Sequence, residues 1–420
     1  MRRRALLLLG PLALAGCSEG TGGYYYPGAP GTAAPIGLGM NQPLSQAAPR
    51  SALVALLVPL TGQYANVGQA LQQAAQLALD VPGAPQLDVK DTGGTPQGAV
   101  AAARAAIADG AGLIIGPLLS SETAAVAPIA RGSGVPVLAF TNDPSQAQPG
   151  VWTLGITPGQ QVRRLVAAVQ AQGRTQLAAL LPDSEFGHVM GQALGQATQA
   201  DGLPPPQIMY HGQGMGSINT TTRALSDYAN RRGPIDAQIQ KAKELGTPEA
   251  RREAVELGKT PIPPPSFSAL LLADTGEALA EVAAMLPYYD VNRSQVQILG
   301  PSLWASRASG SGQMGGAWFA APDPAARAGL EQTYSAKYAT SPPAIADLAF
   351  DAASIARVLG ASGGYSVAAL AQPAGFIGAD GWLALLPDGQ VRRGLAVFRV
   401  AAGAPQIIEP APQSAAAPGT

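Results

Sequence analysis

From residue 53 onward the chain alternates short, wholly apolar runs with longer stretches whose apolar residues recur at helical spacing. Residues 53–57 form the first such run, stopped by Pro59, and residues 68–78 follow with a helical period. Residues 87–90, 113–115 and 135–139 repeat the short runs, with helices expected over 97–109, ended by Gly110, and over 122–131. Strands that alternate with helices pair in parallel through right-handed crossovers. Parallel strands covered on both faces are apolar throughout rather than at every second residue, as at 53–57 and 113–115.

The pattern then restarts. Residues 152–155 read as a connecting strand. Strands are expected at 177–181, 207–210, 269–272 and 296–299, with helices over 160–172, 188–200 and 276–285. Later helices fall at 329–338 and 346–359. The runs 383–385 and 395–400 flank Pro387-Asp388-Gly389, a hairpin signal. Two successive units of one type imply an α/β fold of two doubly wound parallel-sheet lobes joined by a hinge. The expected boundaries are 51–155 for the first part of lobe 1 and 156–318 for lobe 2. A return to lobe 1 follows over 319–365, then a hinge and lobe 2 segment over 366–408. Within lobe 2, residues 220–265 read as a charged helical insert, rich in Arg, Lys and Glu and closed by the prolines of 261–265. A disordered tail is expected over 409–420.

The N-terminus has a different character. Arg2, Arg3 and Arg4 precede an apolar stretch over 6–16 that ends Leu14-Ala15-Gly16-Cys17. That stretch is far shorter than the ~20 residues a membrane span needs. It fits a signal peptide over 1–16. The Leu-Ala-Gly-Cys ending resembles the bacterial lipobox, in which the Cys thiol is acylated before cleavage. Cys17 is the only cysteine in the chain, so no intrachain disulfide can form. Lipidation is therefore expected at Cys17, anchoring the protein to a membrane on the periplasmic side of the envelope. By the same resemblance, Ser18 after the Cys favours the outer membrane. Residues 17–50, rich in Gly, Pro, Ala and Ser, read as the lipidated Cys and a flexible tether.

Charge and composition narrow the function. The formal net charge is −1, and losing the leader arginines makes it more negative. That is no footprint for nucleic acid, which wants a basic patch. His188 and His211 are the only histidines, and neither has a partner at metal-ligand spacing. No Gly-x-Ser-x-Gly string sits between a strand and a helix, as a nucleophile elbow requires. The Gly212-x-Gly214-x-Gly216 string reads as a loop rather than a phosphate cradle. Neither an enzyme nor a cofactor or metal is expected.

Several fragments carry a family likeness. Val58-Pro59-Leu60-Thr61-Gly62-Gln63-Tyr64 with Val67-Gly68-Gln69-Ala70 resembles the first strand, loop and helix of type I periplasmic binding proteins, the leucine/isoleucine/valine receptor class. Asp91-Thr92-Gly93-Gly94, Ile115-Gly116-Pro117-Leu118-Leu119-Ser120-Ser121 and the stretch 136–143 continue it in order. Pro182-Asp183-Ser184-Glu185-Phe186-Gly187 and Leu299-Gly300-Pro301 fit the second lobe. The likeness covers roughly residues 52–402. A narrower likeness, through Ile-Gly-Pro-Leu-Leu-Ser-Ser, Gln160-Gln161-Val162-Arg163-Arg164 and the charged insert, is to lipoproteins of this fold that act as penicillin-binding-protein activators.

In open α/β sheets ligands sit beyond the carboxyl ends of the strands. The candidate ligand-binding residues are therefore Thr61, Gln63 and Tyr64 after the first strand, Ser120 and Ser121 after the third, and Thr141 and Asn142 after the fourth. Phe186, Asp274 and Trp304 are the candidates from lobe 2. The resemblance implies that Ser and Thr loops take the carboxylate of an amino acid and that Asp274 takes its ammonium. It also implies a Tyr-Gly pair where this chain has Phe186-Gly187, so a polar contact is missing. Two functions are carried forward. One is a lipid-anchored regulator whose partner is a peptidoglycan synthase. The other is the solute receptor of an ABC permease for a small polar ligand such as an amino acid or wall peptide.

Overall fold

The computed structural model describes residues 34–39, 53–306 and 311–414. Cys17, the leader and the last residues of the tail lie outside them. Among the described residues the strands form three sheets.

Lobe 1 is built from β2 (Leu53–Val58), α1 (Ala65–Leu79), β3 (Leu87–Asp91), α2 (Pro96–Ala108), β4 (Ala111–Ile115), α3 (Ser120–Gly132), β5 (Val137–Ala139) and β6 (Val151–Thr153). Its sheet has the order β3-β2-β4-β5-β6, all parallel. Alternate residues of β2 enter opposite cores. Val54, Leu56 and Val58 pack with α1 residues such as Leu71 and Ala75, whereas Ala55 and Leu57 pack with Ala103 of α2 and Val126 of α3. Each fully buried Leu or Val contributes roughly 1.5–3 kcal/mol, so the sandwich on both faces explains the uninterrupted apolar run.

Lobe 2 repeats the plan with α4 (Pro158–Ala171), β7 (Leu177–Pro182), α5 (Glu185–Ala200), β8 (Gln207–His211), α6 (Met215–Leu225), β9 (Ala269–Leu272), α9 (Gly276–Tyr288), β10 (Gln297–Gly300) and β11 (Trp318–Ala321). A helical hairpin, α7 (Tyr228–Leu245) and α8 (Pro248–Gly258), is inserted before β9. The hairpin has only a small core of its own, centred on Ile239, Ala242 and Ala254. Arg231 ties it to the lobe by donating to the carbonyls of Ser226, Pro263, Tyr289 and Asp290. Residues 220–225 belong to the lobe body instead, because α6 buries Ile218 and Leu225. The glycine string does open a helix: Gly214, with φ of 83°, sits at the N-cap of α6.

The chain then returns to lobe 1 through α10 (Pro324–Tyr338), α11 (Ala346–Ala361) and α12 (Val367–Leu370), and finishes with β12 (Phe376–Gly378), β13 (Gly381–Leu385), β14 (Val391–Arg393), β15 (Ala396–Arg399) and β16 (Gln406–Glu409). The expected hairpin is corrected in its second strand. β13 turns at Asp388-Gly389 into β14, and β15 instead pairs antiparallel with β11 in the lobe 2 sheet, ordered β16-β15-β11-β10-β9-β7-β8. Gly394, whose Cβ would fall 2.1 Å from the Pro412 carbonyl, lets the chain change sheets there. Ala411 is buried in the lobe 2 core, so the packed chain extends past residue 409.

Segments 154–157, 321–324 and 393–396 run between the lobes. Arg393 cross-links two of them, its Nη2 donating to the Leu154 carbonyl at 2.9 Å. Gln160 and Arg164 of α4 donate to the carbonyls of Val391 and Leu395 at 2.6 and 2.8 Å. The hinge is therefore built from side chains that satisfy irregular backbone, as buried connecting segments require.

A further strand lies in the region expected to be a tether. β1 (Ile36–Gly37) pairs in parallel with β12, completing a sheet of order β1-β12-β13-β14. Leu38 is 1% exposed and belongs to the lobe 1 core. Ile36 and Leu38 are apolar residues in a polar, Gly-rich stretch, and the open edge of β12 gives their backbone a ladder.

Candidate functional site

The loops beyond the carboxyl ends of β2 and β3 are joined by one carboxylate. Asp91 Oδ1 accepts the amides of Leu60, Thr61 and Gly93 at 2.8, 3.3 and 2.8 Å, and Oδ2 accepts the Thr61 hydroxyl at 2.7 Å. Burial pushes this acid up, and these hydrogen bonds outweigh it, so its pKa lies below the usual carboxylate range. Thr61 is thus committed to Asp91. Gln63 is exposed, and Tyr64 is half-buried with its ring beside Gly94, where a Cβ would come within 3.3 Å of it.

The second group forms where β4 and β5 end. Ser120 opens α3 but is not its cap: Leu119 holds that position, with its amide donating to Glu122 Oε2 at 3.0 Å. The Ser120 hydroxyl donates to Asp143 Oδ2 in a short hydrogen bond. Asp143 Oδ1 accepts the Ser145 amide at 2.9 Å, and the Asp143 amide donates to the Thr141 hydroxyl at 3.1 Å. Burial raises the Asp143 pKa, and its hydrogen bonds, led by Ser120, lower it further than that. Ser121 and Asn142 are exposed, whereas Thr141 is buried. Asn142 abuts the hinge, because a Cβ on Gly155 would fall 2.7 Å from its backbone.

In lobe 2 the acid is withdrawn from water. Asp274 and His211 are each 3% exposed, and His211 Nε2 lies 3.2 Å from Asp274 Oδ2. Nδ1 of the same ring lies 2.9 Å from the Gly212 carbonyl. Both ring nitrogens face oxygen atoms, and an imidazolium donates to both. Burial opposes that charge, and Asp274 and the Gly212 carbonyl outweigh it, raising the His211 pKa above its ordinary value. The indole of Trp304 donates to the Asp274 carbonyl at 2.9 Å. Trp304 is 1% exposed, in the core on the α6 and α9 face of the sheet, and its ring covers Gly300, where a Cβ would clash at 2.4 Å. Phe186 is half-buried and packs on the opposite face, against the core formed with α4 and α5.

The structure therefore brings together Thr61 with Asp91, Ser120 and Thr141 with Asp143, and Trp304 with Asp274. It separates Phe186 from Trp304 by the thickness of the sheet. Asp143 stands in the loop after β5 beside Thr141 and Asn142, whereas Asp91 and His211 are the residues that sequence reasoning missed; for Asp91, its place at the carboxyl end of β3 was an available signal. Metal-ligand spacing offers His211 no partner, because Asp274 lies 63 residues away. Among the described residues no group of His, Cys, Asp and Glu could hold a metal ion, and no helix is long and apolar enough to cross a membrane.

Comparison with known proteins fits this architecture. A candidate branched-chain amino acid ABC transporter from Rhodospirillum rubrum superposes with a TM-score of 0.63 at 21% identity, over 85% of this chain and 100% of that one. The C-domain of LpoA from Haemophilus influenzae, described as a regulator of PBP1A, superposes with a TM-score of 0.61 at 16% identity, over 85% and 100%. Full-length LpoA from the same organism is covered over 59% of its length, with a TM-score of 0.62 and 16% identity, by 86% of this chain. At these identities the likeness is one of fold. None of the curated proteins matches the sequence. The family description "Periplasmic binding protein" matches residues 53–405, and with its two doubly wound lobes and hinge the chain belongs to the periplasmic binding protein family, type I.

Proposed function

We propose that the protein is a lipid-anchored, extracytoplasmic member of this family that regulates peptidoglycan synthesis and catalyses no reaction. One observation carries the reading: the groups expected to take the two charges of a free amino acid are already paired within the chain. Ser120, the hydroxyl for a ligand carboxylate, donates to Asp143, so an incoming carboxylate meets like charge. Asp274, the acid for an ammonium, is buried against His211. Displacing that partner would leave a buried cation unpaired, a cost of several kcal/mol. Phe186 offers no hydroxyl and packs against the lobe core.

The remaining parts of the proposal rest on the sequence. The basic start, short apolar run and lone Cys17 support cleavage and lipidation at that residue, with the outer membrane as destination. The partner is a peptidoglycan synthase, and the α7–α8 hairpin, which projects charged residues and an exposed Leu245 and Val255, is its docking element. Adding the delipidated mature chain to a synthase from the same cell should raise the rate of glycan polymerisation or cross-linking. A version with residues 228–259 replaced by a short Gly-Ser linker should lose the effect. The reading is overturned if the synthase neither binds nor responds while a free amino acid binds saturably and is taken up through a permease.

A further inference from the structure

The α11 helix carries a buried cation with no counter-charge. Arg357 is 1% exposed, and among the described residues no carboxylate pairs with it. Its Nη2 donates to the carbonyls of Leu38 and Gly39 at 2.9 and 3.1 Å, whereas Nε and Nη1 have no partner. Burial alone lowers its pKa. A buried guanidinium is costly unless hydrogen-bonded, and among the described residues the groups this one donates to are carbonyls of the N-terminal segment. The same segment donates the Ile36 and Leu38 amides to the Gly375 and Ile377 carbonyls at 3.0 and 2.8 Å, and sinks Leu38 into the lobe 1 core. Gly375, whose carbonyl accepts the Ile36 amide, has φ of 70° and passes so close to β13 that a Cβ would fall 2.3 Å from the Leu383 carbonyl.

We infer that Ile36, Gly37, Leu38 and Gly39 form a built latch: lobe 1 holds the N-terminal segment in a groove made by the β12 edge, an apolar socket for Leu38 and the Arg357 guanidinium. The occupant is this chain's own segment, which runs on in sequence to β2. Resting on the proposed anchor at Cys17, the latch shortens the leash between lipid and domain to residues 18–35. The latch also fixes where the leash leaves the domain: at the edge of a sheet whose opposite edge, β14, carries the hinge residue Arg393.

Amide hydrogen exchange on the mature chain with Cys17→Ser tests this without any lipid. The Ile36 and Leu38 amides should be protected, and Arg357→Met should speed their exchange by about tenfold or more while β2 amides stay protected. Leu38→Pro removes one donor and the apolar plug from outside the lobe body. It should free Ile36 in the same way even if Arg357→Met fails to fold. The inference is overturned if these amides exchange at unfolded-chain rates in the parent protein, if Leu38→Pro leaves Ile36 protected, or if protection appears only at concentrations where the chain dimerises. Metabolic labelling of Cys17 with a radioactive fatty acid reads the anchor separately, so loss of one result leaves the other standing.

Discussion

In lobe 1 the carboxylates beyond the strands stay near water and gather hydrogen bonds from loop amides and hydroxyls, whereas in lobe 2 the corresponding acid is pulled into the core and neutralised by an imidazolium. Asp91 and Asp143 tie loops to one another at the surface of their sheet. Asp274 ties β8 to β9 through His211 and holds Trp304 by its carbonyl. The two lobes share a topology, yet one spends its polar groups on loop geometry and the other on a buried ion pair. At both edges the side chain expected to meet a ligand charge already has a partner within the chain: Ser120 bonds Asp143 and Asp274 bonds His211. Common fold thus does not bring common chemistry at the strand ends.

Perturbing lobe 2 should have the larger effects. Trp304→Ala removes a fully buried ring that covers Gly300 and should destabilise the protein by about 3–5 kcal/mol in denaturant unfolding. Asp274→Ala strands His211 in the core and should cost about 3 kcal/mol. The pH dependence separates the lobes. The folded-state pKa of His211 is raised, so its contribution is complete below the unfolded value of about 6.5 and is lost as pH rises through the folded value. Asp91 and Asp143 are lowered, so theirs is present above about 4 and is lost as pH falls through their folded values. Unfolding free energy measured across pH should therefore fall on both sides; buried Asp347 and Asp351, pushed up to about 8 and about 7, add to the alkaline fall, and Asp274→Ala should lessen only the alkaline slope. An alkaline limb unchanged in that variant would break the contrast.

Lobe 1 changes should be smaller. Asp91→Ala removes an acceptor of several hydrogen bonds at a solvated site and should cost about 1 kcal/mol. Thr61→Val leaves the three backbone amides on Asp91 and should cost about 0.5 kcal/mol. If Thr61→Val matched Trp304→Ala in cost, the surface and buried solutions would not differ as described.

What the sequence could reveal follows the range of each interaction. The central strands such as β2, β4 and β9 were legible because burial on two faces writes an unbroken or nearly unbroken apolar run into the sequence. β1 was not, because two residues of ladder and one buried Leu38 leave no period in a Gly- and Pro-rich stretch; its evidence sits on Arg357, far along the chain. The hairpin signal at Asp388-Gly389 was correct for β13, but the strand change at Gly394 depends on close passage of Pro412 and is invisible locally. Asp274 was recognised as an acid at a strand end; its partner His211, on another strand, was not. Trp304 and Phe186 were both placed at the site by position alone, and the sheet between them could be seen only in three dimensions.

The most direct test of the central claim, that the chain's own residues occupy both charge subsites, is calorimetric titration of the delipidated mature chain with the common free amino acids, accompanied by thermal melts. No saturable heat and no shift in Tm at millimolar concentrations is the predicted result. A ligand present at 100 times its Kd stabilises by about 2.7 kcal/mol, so saturable binding of leucine or any other free amino acid, with a Tm rise of several degrees, would contradict the account.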